Sequence, residues 1–200
     1  MKKAIFKNRA ASCFAAAALG VLAGLAVAFF SRFPHNDLWS LAMFSSGTFG
    51  FWIATSSLIA LFSEKPYTAG LCVALYVYFL FYVTGIFKCL ALVRKGYAPI
   101  SYFYHSFWEA LSYGALPAVL CFALAFLLWY GRRPGLLFTS LRFAPLLFIL
   151  AEAITLFIRV LTAREDLFMT IVDALCAAGY LVILMRNSDF EKRRPTVGDV

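Results

Sequence analysis

This chain should fold as an all-α, polytopic membrane protein: a six-helix transmembrane bundle with both termini in the cytoplasm. Three observations carry that expectation. Of 200 residues, 63% are hydrophobic and only 14% are charged, too little charge to cover a soluble domain of this size. The apolar residues come in long blocks, the pattern of helices that cross lipid. The basic residues gather between those blocks, where they set orientation.

Six blocks follow one another along the chain, each near the ~20 residues that a spanning helix needs. The first, 10–30, comes after "MKKAIFKNR". A basic start before an apolar run also describes a signal peptide, but this run exceeds the ~7–15 residues of a signal core, so it is read as a retained helix. Ala11 and Ala15 form an AxxxA pair, and Ala16, Gly20, Gly24 and Ala28 continue it at four-residue spacing. Such a stripe lets helix backbones approach closely, and five turns of it can also serve a partner helix. Block two, 39–63, follows Asn36 and Asp37 as N-caps and places Ser46, Gly50, Ala54 and Ser57 on one face. The third, 69–93, carries Lys88 with Thr84 one turn below. The fourth, 107–130, follows "SFWE" (Ser106 to Glu109), which fits a capping box, and Pro117 should kink it. "GRRPG" (Gly131 to Gly135) turns the chain tightly into the fifth, 136–160. "TARE" (Thr162 to Glu165) is a second capping-box pattern before the sixth, 166–186. Residues 1–186 thus form one transmembrane domain, and 187–200 a polar, disordered cytoplasmic tail.

With the N-terminus inside, twelve Lys and Arg fall on the cytoplasmic side and six outside: Arg32, Lys88, Arg94, Lys95, Arg159 and Arg164. That bias fits the positive-inside rule and a bacterial inner membrane. The net charge of +8 forms no continuous basic face, which argues against nucleic acid. Five cysteines all fall inside apolar blocks, Cys72 and Cys89 sharing the third, and none has CxxC or Cys/His spacing, so neither disulfides nor a metal site is expected.

The informative residues are the charges inside the blocks. A carboxylate at membrane depth costs at least a few kcal/mol unless it is satisfied. Glu152 lies about 10 Å deeper than Arg159 on the fifth helix, and Thr155 shares the stripe. Arg159 should lean back toward Glu152. On the sixth helix Asp173 falls at matching depth, with Thr170, Cys176 and Tyr180 on its face. Lys88, about 9 Å inside Arg94, completes a layer of four ionisable groups from three helices. Two readings are open: a salt-bridge network that fixes helix register, or a ligand pocket. A catalytic pair, Glu152 with Asp173, lacks any accompanying motif.

Above that layer runs "YAPISYFYHSFW" (Tyr97 to Trp108), half of it aromatic. It reads as an interfacial belt or as a loop over the outer cavity, with Tyr104 and Trp108 stacking on a ligand. Glu109 is explained by its capping position, and His35 and His105 as solvated interfacial residues.

In layout the chain resembles the substrate-binding S components of energy-coupling factor transporters. Those have six helices in about two hundred residues, cytoplasmic termini, and an outward pocket covered by loops. An AxxxA surface on their first helix docks a coupling subunit, which would match Ala11 and Ala15, extended by Gly20 and Gly24. The resemblance implies a substrate-binding subunit or small transporter for a polar or anionic small molecule, with a coupling subunit or a second copy as partner in the bilayer. Lys88 and Arg159 would engage negative groups of the ligand; Glu152, Asp173, Thr155, Tyr180, Trp108 and Tyr104 complete the expected site. No cofactor is expected. The alternatives are an accessory membrane protein whose charges only fix packing, or an intramembrane enzyme using Glu152 and Asp173.

Overall fold

The structure, a computed structural model, describes residues 9–33, 38–39, 49–133 and 135–186. Among these there is helix and no strand. The helices are α1 (Arg9–Phe30), α2 (Gly50–Phe62), α3 (Pro66–Arg94), α4 (Ile100–Trp129), α5 (Leu136–Ala163) and α6 (Leu167–Arg186), with a 3-10 turn Tyr130–Arg132 after α4. Five of them are long and apolar enough to cross a membrane; α2 is a shorter apolar helix. Large apolar side chains point outward all round, among them Phe14, Val119, Leu136 and Leu147, as suits a chain whose outer solvent is lipid.

Hydropathy locates the part of a helix that lies in hydrocarbon, not the whole helix, and this explains the boundary correction at α4. α4 starts at Ile100 rather than 107, directly after Pro99 in extended conformation. Its 30 residues run about 45 Å, longer than the ~30 Å hydrocarbon layer. The "SFWE" cap is therefore overturned. Ser106 is buried within the helix, and Glu109 pairs with His105 one turn away at 3.3 Å. "TARE" fails similarly: the Thr162 hydroxyl donates to the Ile158 carbonyl inside α5 at 2.9 Å, and α6 begins at Leu167. The Asn36 and Asp37 caps, Ser46, and the tail beyond 186 lie outside the described residues. Pro117 sits inside a continuous α4, as Pro145 does in α5.

Two layers make up the bundle. In one, α3 packs against α1 and α4; in the other, α5 packs against α6; α2 touches α3, α4, α5 and α6 and joins the layers. α1 and α3 run parallel. Cys13 faces Cys72, and a Cβ at Gly20 would fall onto the Tyr76 carbonyl. A Cβ at Gly24 would lie 2.8 Å from the Leu80 carbonyl oxygen. The glycine part of the α1 stripe is thus spent inside the monomer, which corrects its assignment to a partner helix. Ala11 remains exposed and Ala15 half-buried.

The main core fills the end of the bundle where α2 meets α3 and α4 turns into α5. Leu61, Val73, Tyr76, Trp129, Ile149 and Tyr180 form its centre. Polar ties cross it: the Trp129 indole donates to the Ser63 carbonyl at 3.1 Å, the Thr55 and Tyr76 hydroxyls meet at 3.0 Å, and Tyr180 donates to the Arg142 carbonyl at 3.2 Å. We call this the core end. At the opposite end, among the described residues, Leu156 and Met169 form a second, small buried cluster, and Leu167 N–H donates to the Leu38 carbonyl at 3.0 Å.

Candidate functional site

α2 does not start at the surface. Its first residue, Gly50, lies against two side chains from inside the other layer. The Phe49 N–H donates to Glu152 Oε1, and Glu152 stands well inside α5. Asp173, about two turns into α6, packs its carboxyl flat onto Gly50. A Cβ there would lie 2.5 to 2.7 Å from Asp173 Oδ1, Cγ and Oδ2. From this start the 13 residues of α2 run about 20 Å to the core end. α2 is therefore a short helix whose first turn lies beside the interiors of α5 and α6 rather than beside their ends.

This arrangement has a plain electrostatic logic. The first turn of a helix leaves N–H groups without partners and carries about half a positive charge. Carboxylates are the side chains that such a terminus favours. Glu152 acts as a cap from another helix, while Phe49, at the N-cap position itself, makes no side-chain cap. Asp173 is different. It is fully buried, and among the described residues neither carboxyl oxygen has a hydrogen-bond partner. A buried carboxylate left so is costly; one proton, or a cation, removes the cost.

The structure brings together Glu152 and Asp173 and adds Phe49 and Gly50, but it separates the other expected members. Arg159 pairs with Asp166 at 3.6 Å, not with Glu152. Asp166 lies in the turn between α5 and α6 with a positive φ of 66° and is buried. Lys88 is exposed on α3, which packs against α1, α4 and α2 rather than on the acidic layer. Thr155 is exposed and gives its hydroxyl to the Ala151 carbonyl at 2.9 Å. Tyr180 is buried on the face of Asp173 but bonded to Arg142, toward the core end. The aromatic segment is helix from Ile100, and Tyr104 and Trp108 are 68% and 70% exposed, so they form no lid. Tyr97, Tyr102 and Tyr113 are exposed with them, a girdle such as interfacial aromatics make.

An open groove of about 440 Å³ lies between α5 and α6, but Leu150, Ile154, Phe157, Ala174 and Ala178 line it. It is apolar and supplies no polar pocket. No group of three or more His, Cys, Asp or Glu fit to hold a metal is found among the described residues.

Reading from sequence missed Gly50 as part of the site. Its signal was present, since Gly50 shares a face with Ala54 and Ser57, but a small-residue face does not say what approaches it. No protein-family model matches the chain, and neither does any curated protein or solved structure. The likeness to S components thus rests on layout and on the α1 stripe.

Proposed function

We propose that this is a small multi-pass transporter, or transport subunit, of the cell membrane, and that Glu152 and Asp173 form its proton site. The observation that carries this reading is the fully buried Asp173 carboxyl, without a hydrogen-bond partner among the described residues, packed on the start of α2 beside a second carboxylate. Membrane carriers place ion and substrate sites at the ends of broken or half-length helices near the midplane. Ionisable residues at that depth mark proton relays and ion paths. With Lys88 and Arg159 away from the pair, the geometry favours a proton or a cationic group over the anionic ligand. Both termini are taken to face the cytoplasm, at the core end.

The mechanism follows from charge. With both carboxylates ionised, two negative charges face one helix terminus, and Asp173 repels Glu152 at close range in a medium of low dielectric. Protonating Asp173 removes that repulsion and lets α2 seat closely on α6. Loss of the proton drives the carboxylate away from Glu152. The proton would thus bias two positions of the helix that joins the layers.

A second reading has its own support: Glu152 already caps α2, so the pair could serve only to fix that helix. Proteoliposomes under an imposed pH gradient, with a pool of polar solutes on the acid side, separate the two. A transporter should admit protons faster than empty vesicles, and Asp173→Asn should return the rate to the empty level while the protein still folds. Wild-type flux equal to that of empty vesicles would leave the packing role alone standing.

A further inference from the structure

Three arginines surround the turn from α4 to α5. The Arg132 guanidinium carbon lies 5.2 Å from the centre of the Trp129 ring, that of Arg133 4.7 Å from Tyr130, and that of Arg142 5.6 Å from Phe143. Gly131 brings the turn onto α5: a Cβ there would sit 3.2 Å from Arg142 Cβ and 3.3 Å from its backbone nitrogen. One patch results. All three side chains are half-buried, and the Nε atoms of Arg133 and Arg142 are buried without a hydrogen-bond partner among the described residues. Neither Arg133 nor Arg142 has a carboxylate partner among the described residues.

Arginines that serve only to orient a membrane chain need no fixed geometry; they can stay in water. These are held differently. A ring face beneath each guanidinium fixes its plane, and a planar fork so held matches the oxygens of a phosphate. The location supplies the rest. The patch sits where two helices long enough to cross a membrane end and begin, and the end of such a helix lies at the level of lipid headgroups. Basic pockets between membrane helices bind anionic headgroups at such places.

We infer that Arg132, Arg133 and Arg142 form a binding site for the phosphodiester headgroup of an anionic phospholipid. The site is independent of the carboxylate pair and takes no part in proton uptake.

The full-length chain in nanodiscs tests this. In discs of phosphatidylcholine with phosphatidylglycerol the melting temperature should exceed that in phosphatidylcholine alone by several degrees, and native mass spectrometry should show phosphatidylglycerol retained. Arg133→Gln with Arg142→Gln should remove both effects. Arg133→Lys with Arg142→Lys, which keeps the charge and is the milder change, should lose most of the shift. Equal melting in the two lipids overturns the site, and so does a full shift in the lysine variant, which would mean diffuse charge attraction. A shift of the same size from inorganic phosphate in neutral discs overturns the lipid assignment.

Discussion

At the scale of single residues, Gly50 has little freedom. Its missing Cβ is the space that the Asp173 carboxyl occupies. Gly50→Ala forces a fully buried side chain aside, and overpacking of this kind costs about 1–3 kcal/mol. The loss should appear as earlier unfolding in a detergent titration. Adding Asp173→Ala should recover part of it, because the two sites touch and their effects are not additive. Ser106 offers the opposite case: its hydroxyl is buried in α4 and has no partner. Ser106→Ala should therefore be neutral or stabilise by about 1 kcal/mol, measured by the same titration.

Among the elements, the turn between α5 and α6 holds two residues in the left-handed region, Arg164 (φ 56°) and Asp166 (φ 66°). That conformation costs a non-glycine residue about 1–2 kcal/mol, and glycine is the usual residue just past a helix end. Arg164→Gly should raise the melting temperature, by the equivalent of about 1 kcal/mol. At the core end, Trp129 ties α4 to the end of α2 through the Ser63 carbonyl. Trp129→Phe keeps a ring but removes the donor, with an expected cost of about 1–3 kcal/mol for the orphaned group. The elements themselves were legible to different degrees. α1, α3, α5 and α6 match their blocks closely, because apolar runs of spanning length admit little else. α4 was foreseen too short, because Tyr102, His105 and Ser106 read as loop in a hydropathy pattern while lying in helix beyond the hydrocarbon.

For the whole molecule, the two-layer arrangement makes α2 the joint between the α1–α3–α4 group and the α5–α6 pair. Removing the charge at its start should reach both layers. Glu152→Gln keeps the shape but weakens the hold on the Phe49 N–H, so hydrogen exchange should quicken in the first turn of α2 before it changes in α3 or α5. The candidate site was half legible. Glu152 and Asp173 stood out because carboxylates are expensive inside apolar helices, and their depths could be counted at 1.5 Å per residue. Arg159 and Lys88 were placed by the same count, and depth alone misled. Two residues at one level meet only if their helices are neighbours with the right faces turned together, and depth says nothing of either.

The amino-acid order by itself determined the apolar blocks, their lengths and the two acids within them, since these follow from hydropathy and helical rise, which are local. Which helices touch was decided by tertiary structure: α1 beside α3, α2 between the layers, Arg159 turned to Asp166, and Gly50 beneath Asp173. Within lipid every apolar face is equally at home, so hydropathy does not choose among neighbours. Close packing and the partners of a few polar atoms make that choice, and these exist only once the chain has folded.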